Sequence, residues 1–548
     1  MATTAELLAK ASLLEEALRE RLRGLHPIIE KILAVSGTAG ASVGIIRRGE
    51  TFHEAHFGFR DHKLSTKPDS DTLYGIGSMT KGMVAAAIAD LVERGLMAWD
   101  EKLCDIMPEF TSPDRVMADG CTVADILSHR SGLPTFNVLW YQGNALPLIP
   151  KSALLPMVSV MKPAFGLRSG WRYSNWGYAL AGEAVARRTG APFEQQLQQA
   201  LFDPLGIKRT TLRPDWREDG NTAESFIGYN DASMAPIRSQ VVDQTTVMAA
   251  AGGVCSSTKQ LLVYYTALLK ALSHQLRVGT PLEGSPFKQL AKIFSGHVSI
   301  PLRLSTIDEY GLGWFRGYAP GFPGILSENN GLLPKLPVIG EGAKPQFILS
   351  HNRTLAGFSS TVFLLPETES GIFVLTNTKS TCDSGDLIAK ALLHTLLGSP
   401  AEIDFINLAE TAMRAGTEPM SLETYEGRYY WDTDAFVVDI SLVAGISTSK
   451  VLTARMQGLE DQTYTLQHYH YDTFTWLMTD KEEAKRSRVM QAVEAYKFVF
   501  ERNEANEIYQ FVWQEMGAAR ESFAEGVDGP SHARIQVGAH CFPSSERV

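Results

Sequence analysis

The chain has 548 residues, which is long enough for two or three domains with a large buried core. Its 51 basic and 61 acidic side chains give a formal net charge of −10, which argues against a surface for nucleic acid or an anionic membrane. The five cysteines are widely spaced and form no Cys-x-x-Cys pair, so we expect reduced thiols in a cytoplasmic protein and neither a disulfide framework nor a zinc site.

The N-terminal segments predict a helix and then a β-hairpin. Glutamates recur among leucines at helical spacing in the first thirty residues, which indicates an amphipathic helix and not the apolar core of a signal peptide. Residues 41–47 and 51–59 alternate around a turn, as the two strands of a hairpin do. No later stretch is long and apolar enough to cross a membrane.

A Ser-x-x-Lys tetrad comes next in the chain, at Ser78 to Lys81. It follows a short predicted strand at residues 73–76 and opens a predicted helix that Gly95 ends. Because residues i and i+3 share a helix face, Lys81 points toward the Ser78 hydroxyl. The helix dipole and burial both disfavour the charged form of a lysine in the first turn. The pattern is typical of a serine nucleophile with a lysine base.

Other serines carry similar patterns in poorer contexts. The Ser-x-x-Lys spacing recurs where the predicted structure or the neighbouring motifs do not fit a nucleophile, at Ser159, Ser256, Ser285 and Ser447. Residues 40–44 also match Gly-x-Ser-x-Gly, the nucleophile elbow of another hydrolase fold. That elbow needs a helix after its serine, whereas a strand is predicted after Ser42. We therefore interpret Ser42 as a strand residue.

Helices dominate up to about residue 275, and strands then return near residues 311–315, 347–350, 359–365 and 371–377, before a helix at 386–397. The economical interpretation is an α/β fold of the α+β type, with a mixed sheet whose first and last strands flank a helical region. Beyond residue 420, short aromatic and β-branched segments predict an antiparallel β domain. We therefore expect two domains, residues 1–415 and 420–548.

Six short motifs then occur in an order that points to one family. They are residues 74–81, 126–134 (Ile-Leu-Ser-His-Arg-Ser-Gly-Leu-Pro), 173–175 (Tyr-Ser-Asn), 251–254, 310–314 and 357–360. Through them, residues 25 to 400 resemble the serine β-lactamase and penicillin-binding-protein superfamily, in the branch of class C β-lactamases, DD-peptidases, esterases and acyltransferases. The resemblance implies an antiparallel sheet with a helical subdomain. The region after residue 420 resembles lipocalin-like modules of some D-aminopeptidase relatives.

The resemblance also implies roles for the motif residues. Ser78 would attack a carbonyl and form an acyl-enzyme, Lys81 would take the hydroxyl proton, and Tyr173 would exchange a proton with Ser78 and the leaving group. Asn175 would hydrogen-bond Lys81 and the substrate. An alternative interpretation of Asn175 is an N-cap, because a helix is predicted to begin at Trp176.

The third family motif, Lys-Thr-Gly or His-x-Gly, is best matched by residues 351–354 (His-Asn-Arg-Thr). His351 fits the first position, and Arg353 replaces the usual glycine. An inward-pointing Arg353 would pair with a substrate carboxylate. The Thr354 backbone N–H, with that of Ser78, would form the oxyanion hole. We therefore expect Asn175, His351, Arg353 and Thr354 to bind substrate.

Two further features are expected to lie outside this chemistry. His129 is predicted to support the fold near the turn at residues 131–132. Residues 317–345 are rich in proline and glycine, and they are interpreted as a lid, as a substrate-selecting insertion or as a surface excursion.

The favoured function is hydrolysis of an ester, amide or peptide bond in a small-molecule or peptide substrate, through an acyl group on Ser78. The first alternative is an acyltransferase of secondary metabolism that delivers the same acyl group to an alcohol or amine. The second is a non-catalytic scaffold or binding protein. No cofactor, metal, nucleic acid or membrane partner is expected, and a homo-oligomer is compatible with the sequence.

Overall fold

A computed structural model describes residues 4–140, 145–229, 231–300, 308–355, 357–414, 419–431, 433–445, 450–479, 481–482, 496–503, 507–513 and 516–520. The chain divides into two compact units, Met1–Gly416 and Thr417–Val548. Within the described residues, no helix combines the length and the apolar character that a membrane crossing requires.

The first unit begins with two helices and a hairpin and then alternates helices with short strands. Its described helices are α1 (Thr4–Gly24), α2 (His26–Ser36), α3 (Thr80–Glu93), α4 (Leu103–Ile106), α5 (Arg115–Gly120), α6 (Val123–Leu127), α7 (Leu154–Val160), α8 (Asn175–Thr189), α9 (Phe193–Leu197), α10 (Ala249–Gly252), α11 (Thr258–Val278), α12 (Leu290–Ile293), α13 (Asn329–Leu332), α14 (Ser384–Leu396) and α15 (Phe405–Arg414). Its described strands are β1 (Gly40–Arg47), β2 (Glu50–Gly58), β3 (Tyr74–Gly75), β4 (Phe226–Gly228), β5 (Met234–Pro236), β6 (Cys255–Ser256), β7 (Val298–Ser299), β8 (Glu309–Tyr310), β9 (Phe315–Ala319), β10 (Gln346–Leu355), β11 (Phe358–Leu365), β12 (Ser370–Thr376) and β13 (Thr378–Lys379).

The main sheet of this unit joins the beginning and the end of the unit's sequence. Among the described residues, eight antiparallel strands lie in the order β2-β1-β12-β11-β10-β9-β8-β7. In the β1–β12 pair, Ala41 lies opposite Thr376 and Val43 opposite Val374. The prediction that the first and last strands belong to one sheet is therefore confirmed, but the described strand pairs of this sheet are antiparallel, so the expected mixed character is wrong.

Both faces of the sheet are buried. Because alternate side chains of a strand point to opposite faces, neighbouring residues of one strand belong to different cores. On β11, Val362 and Leu364 join the core shared with α3, α8 and α11, whereas Phe363 and Leu365 join the core shared with α2, α14 and α15. Every residue of β11 and β12 is buried, including the polar residues Ser359, Ser360 and Thr361 of β11. The sheet thus separates the helical region from a second helical layer.

The predicted strand at residues 311–315 is the main local error. Residues 311–314 form a turn between β8 and β9, in which the Gly311 amide donates to the Trp314 carbonyl at 2.8 Å. Gly313 has a φ of +83°, a conformation that side chains with a Cβ rarely adopt. Two glycines in a short apolar run therefore favoured a turn over a longer strand.

A buried polar cluster fixes the start of α14. Asp383 caps this helix, and its Oδ1 accepts hydrogen bonds from the Asp386 amide at 3.1 Å and the Ser359 hydroxyl at 2.8 Å. Asp386 pairs with Lys390 at 2.7 Å and accepts from Ser327 at 2.8 Å. Burial, together with the nearby Asp386 and Glu328 carboxylates, raises the pKa of Asp383 to about 7.

The second unit is an antiparallel β structure. In the part that the structure describes, nine strands lie in the order β17-β16-β15-β14-β22-β21-β20-β19-β18. They are β14 (Gly427–Trp431), β15 (Thr433–Ala444), β16 (Lys450–Met456), β17 (Thr463–Thr465), β18 (Gln467–His470), β19 (Thr473–Thr475), β20 (Lys497–Arg502), β21 (Ile508–Trp513) and β22 (Met516–Arg520). Aromatic side chains dominate its core, including Tyr429, Phe498 and Phe511. The predicted α+β fold class with a C-terminal antiparallel β region is confirmed.

Candidate active site

Ser78 lies between a short strand and a long helix, as the sequence predicted. The strand β3 pairs with β6, and a 3-10 turn (Gly77–Met79) then leads directly into α3. Gly77 has a φ of +51° in this turn. From the neighbouring sheet, the Ser360 hydroxyl donates to the Ile76 carbonyl at 2.7 Å, which fixes the chain just before Ser78.

Two side chains contact the Ser78 hydroxyl. Lys81 Nζ lies 3.1 Å from Ser78 Oγ, and the Tyr173 hydroxyl donates to the same oxygen at 2.8 Å. All three residues are buried, with exposed fractions of 4% for Ser78, 0% for Lys81 and 7% for Tyr173. The fold therefore brings together the serine, lysine and tyrosine that the sequence singled out.

Lys81 has further polar and aromatic neighbours. Its Nζ donates to Asn175 Oδ1 at 2.8 Å and to the Ala251 carbonyl at 2.6 Å. The same nitrogen lies 4.9 Å from the ring centroid of Tyr173 and 5.0 Å from that of Tyr178, where the ring faces favour a cation. The Ala251 carbonyl belongs to a motif that carries the family resemblance, but the sequence assigned no contact to it.

Asn175 is the first residue of α8, and its side chain turns toward Lys81. Ser174 occupies the N-cap position, so the capping interpretation of Asn175 does not describe its conformation. The Asn175 amide donates to Asn137 Oδ1 at 3.0 Å, and the Trp140 indole donates to that same oxygen at 3.2 Å. Sequence reasoning missed Asn137 and Trp140, because both belong to a loop without a recognisable pattern.

A pocket opens at Ser78. Its walls come from six separate segments of the first unit: Ser78, Trp140, Asn175, Val242, Ala251, Gly252, Thr354 and Leu355. Thr354, near the end of β10, therefore faces the same space as Ser78, where the sequence expected a second oxyanion-hole donor. Gly252 lies against Gly77, so the wall beside the turn is backbone with little side chain.

His351 and Arg353 are placed differently from Thr354. His351 is 1% exposed and does not line the pocket; its Nε2 lies 3.2 Å from the Tyr310 hydroxyl, and its ring packs 5.3 Å from Phe315. The backbone of Arg353 pairs with Ser360 across the sheet. The Arg353 side chain lies outside the described residues, so its predicted contact with a substrate carboxylate stays a prediction.

The loop that carries Tyr173 is hydrogen-bonded along its length to residues 129–135. The Thr135 hydroxyl donates to the Tyr173 carbonyl at 2.9 Å, and the Ser174 hydroxyl donates to the Pro134 carbonyl at 2.8 Å. Both segments are anchored at a fully buried carboxylate, Asp125, by Arg130 at 2.6 Å and Arg168 at 2.7 Å. Although burial alone would raise it, the pKa of Asp125 is lowered by hydrogen bonds from Arg168 and Thr122.

The competing serine patterns form different contacts. Ser42 is fully buried on β1, with its hydroxyl 2.9 Å from both His56 Nδ1 and the Tyr74 hydroxyl. Ser256 contacts Thr210, while Lys259, three residues later, pairs with Asp71 at 3.1 Å on the surface. Ser159 donates to the Pro156 carbonyl. Ser447 lies outside the described residues.

Within the described ranges, no group of three or more His, Cys, Asp or Glu side chains is placed to hold a metal ion.

An antiparallel sheet between two helical layers, with a Ser-x-x-Lys turn facing one sheet strand, defines the class of β-lactamase-fold serine hydrolases. The chain belongs to the beta-lactamase family, whose model matches residues 25–396. A second model, a domain of unknown function (DUF3471), matches residues 411–525. The predicted membership of the β-lactamase and penicillin-binding-protein superfamily is therefore confirmed.

Individual relatives are distant. Unguisins hydrolase of Aspergillus violaceofuscus is 23% identical over 382 residues, which cover 66% of this chain and 62% of that protein. The beta-lactamase of Escherichia coli is 23% identical over 370 residues, which cover 64% of this chain and 88% of that protein. A solved octameric penicillin-binding protein homologue from Pyrococcus abyssi matches with a TM-score of 0.55 and 20% identity, covering 91% of this chain and 99% of that one. This structural likeness shows the fold.

Proposed function

We propose that the protein hydrolyses an ester, amide or peptide bond of a small-molecule or peptide substrate, through an acyl group carried on Ser78. One observation carries the proposal: the Ser78 hydroxyl lies within hydrogen-bond distance of both Lys81 Nζ and the Tyr173 hydroxyl, at the wall of a pocket. A nucleophile beside a base is the arrangement that acyl transfer requires.

Counting protons around Lys81 supports a role as the base. A charged ammonium has three protons, and the hydrogen-bond partners of Nζ include Ser78 Oγ, Asn175 Oδ1 and the Ala251 carbonyl. A neutral amine has two protons and one lone pair. Because Asn175 Oδ1 and the Ala251 carbonyl can only accept, a neutral Lys81 directs its lone pair at Ser78. It can then take the Ser78 proton as Oγ bonds to the substrate carbonyl carbon.

The remaining proton transfers fall to Tyr173. Its hydroxyl contacts Ser78 Oγ, so it lies beside the leaving group once Oγ has attacked, and it can donate a proton as the carbonyl–leaving-group bond breaks. Lys81 Nζ and the Tyr173 hydroxyl both contact Ser78 Oγ, so the lysine lies near the phenolate and can return a proton to it. The amides of Ser78 and Thr354 would hold the oxyanion. In deacylation, Lys81 would take a proton from a water molecule as the water oxygen attacks the acyl carbon. It would then give that proton to Ser78 Oγ as the bond between Oγ and the acyl carbon breaks.

The relatives support the reaction class but not a particular substrate. One is named as a hydrolase of unguisins and another as a beta-lactamase, and each is only 23% identical to this chain. The chain spans about three fifths of unguisins hydrolase, so that protein's substrate is not transferred to this one.

Labelling with a fluorophosphonate tests the proposal. We expect one adduct, on Ser78, in the folded protein, and we expect Ser78→Ala to lose it. Ser159→Ala is the matched control, because Ser159 also begins a Ser-x-x-Lys spacing but lies at the surface. An unlabelled Ser78 in the folded wild type overturns the proposal. With p-nitrophenyl esters, transfer of most acyl groups to added alcohols in place of water would identify an acyltransferase.

The assembly and location of the chain are part of the same proposal. A homo-oligomer is supported by the structural neighbour, which is described as octameric. A cytoplasmic location is supported by free thiols at Cys104, Cys121, Cys255 and Cys382. Light scattering of the purified protein and fractionation of the source cells test these two points.

A further inference from the structure

His129 holds the two neighbours of Tyr173 in the chain. Its carbonyl accepts a hydrogen bond from the Arg172 amide at 3.0 Å, and its ring Nδ1 accepts one from the Ser174 amide at 3.2 Å. The same ring packs against Tyr173, with 4.4 Å between ring centroids. The backbone carbonyl and the ring of His129 thus fix the backbone on both sides of Tyr173, and the same ring packs against the tyrosine between them.

The backbone of His129 is itself unusual. Its φ is +61°, in the left-handed region that a residue with a Cβ rarely adopts. Residues in such conformations persist only where their surroundings hold them, and they concentrate at functional sites. At His129 the conformation allows the carbonyl and the ring to reach the same neighbouring segment.

The ring of His129 must be neutral and in one tautomer to make these contacts. Because Nδ1 accepts from the Ser174 amide, the ring proton resides on Nε2. Burial first, and then the charges of Lys81 and His351, lower the pKa of His129 well below its usual value. Among the described residues, Nε2 has no hydrogen-bond partner. An unpaired buried donor destabilises a fold, so stability alone does not account for a histidine here.

The aromatic surroundings explain how such a ring is tolerated. Tyr310 and Tyr178 lie 4.8 and 5.4 Å from the His129 ring, and Trp171 meets it edge-on at 6.3 Å. Together with Tyr173, these rings surround His129, which is 1% exposed. A protonated His129 would put a second cation beside Lys81 and would lose the acceptor for the Ser174 amide.

We propose that His129 is a positioning residue for proton transfer at Tyr173: as a neutral Nδ1 acceptor, it holds the Tyr173 hydroxyl on Ser78 Oγ. The inference rests on the proposed function, since it assigns to Tyr173 the proton transfers described above. It adds a second role to the sequence-based expectation that His129 supports the fold near the turn at residues 131–132.

Two substitutions of His129 test the Nδ1 hydrogen-bond acceptor and the flat ring independently. His129→Asn keeps an acceptor near the position of Nδ1, whereas His129→Phe keeps a flat ring and loses the acceptor. We expect kcat/KM to fall by about tenfold to a hundredfold in His129→Phe, which is the range for losing one buried hydrogen bond and the alignment it provides. In His129→Asn the fall should stay within about threefold. KM should change little in either variant.

A double-mutant cycle with Tyr173→Phe tests whether His129 acts through Tyr173. If it does, His129→Phe costs little further activity once the tyrosine hydroxyl is gone. The loss in His129→Phe should also be larger for alkyl esters than for p-nitrophenyl esters, because only the poorer leaving group needs a proton. Equal losses in both backgrounds, or for both ester classes, overturn the inference.

Histidine NMR of the wild type tests the tautomer without any substitution. With ¹⁵N-labelled histidine, Nδ1 of His129 should remain unprotonated from pH 8 down to pH 5. A protonated Nδ1 at pH 7 overturns the inference. Failure of the proposed function would look different: Ser78 would not react with fluorophosphonate even in the wild type.

Discussion

The Tyr173 hydroxyl donates a hydrogen bond of 2.8 Å to the Ser78 hydroxyl, although the two residues are 95 positions apart in the sequence. Ser78 Oγ therefore lies between a phenol and the Lys81 amine. This relationship ties the turn before α3 to the loop before α8, and it leads to the following predictions.

Lys81→Ala removes the amine beside Ser78. We expect acylation of Ser78 to slow by about 10² to 10⁴-fold, because a general base is lost. The rates of fluorophosphonate labelling and of ester hydrolysis measure this change. The thermal transition should remain largely intact. Lys259→Ala is the matched control, since Lys259 ends another Ser-x-x-Lys spacing but pairs with Asp71 at the surface. Undiminished labelling of the Lys81 variant would show that another group acts as the base.

Asn175→Leu removes the acceptor that lies 2.8 Å from Lys81 Nζ. We expect kcat/KM to fall by about tenfold to a hundredfold, as for the loss of one hydrogen bond to a charged or strongly polarised group. Asn137→Ala removes the oxygen that accepts from the Asn175 amide and the Trp140 indole, but it leaves the contact of Asn175 with Lys81 in place, so its loss should be smaller, about threefold. The reverse order of the two losses would contradict the arrangement described for this side of the pocket.

Gly313→Ala places a Cβ 2.6 Å from the Lys81 carbonyl. Gly279→Ala is a close control, because Gly279 has a φ of +81° against +83° for Gly313, but the space around it is open. The control should lower the free energy of unfolding by about 1 kcal/mol, the cost of a side chain in left-handed backbone. Gly313→Ala should cost more and should also slow acylation. Equal effects on melting and unchanged acylation would show that the turn does not support Lys81.

Asp383 should make stability depend on pH. In the folded protein, burial and neighbouring carboxylates raise the pKa of Asp383 to about 7 from its ordinary value of 3.8. Between these values the native state holds more protons than the unfolded state, so this residue's contribution to stability falls as the pH rises from about 4 to about 7.

Asp383→Asn removes this titration while keeping a side-chain oxygen for Ser359 and the Asp386 amide. Melting temperatures measured between pH 4.5 and 7.5 should therefore fall less steeply with pH in the variant than in the wild type. Asp114→Asn is the control, because Asp114 also caps a helix but is only partly buried. Parallel curves for wild type and Asp383→Asn would show that this carboxyl does not titrate in that range.

Local rules of the sequence account for part of the site. The contact of Ser78 with Lys81 follows from helical spacing, and the hairpin of β1 and β2 follows from alternation around a turn. Tyr173 and Asn175 could be located only through the resemblance to a family, because their contacts with Ser78 and Lys81 depend on how distant segments pack.

Other parts of the site have no local signal. The Ala251 carbonyl contacts Lys81 through a backbone atom that every residue has, so its residue type predicts nothing. Asn137 supports Asn175 from a loop without periodicity. The sequence predicts only that His129 supports the fold. The three-dimensional structure shows that its ring and its carbonyl accept hydrogen bonds from the residues on either side of Tyr173.

The pairing of β1 with β12 sets a condition on how the chain acquires its structure during synthesis. Ala41 and Thr376 are partners about 330 residues apart, and at roughly 5 to 20 residues per second the ribosome needs about 20 to 70 s to make that stretch. Throughout this interval one edge of the N-terminal hairpin lacks its neighbour and is exposed to other nascent chains. The central sheet of the first unit therefore closes late. Premature termination before β12 leaves β1 without this neighbour, and termination before Thr354 also removes part of the pocket wall.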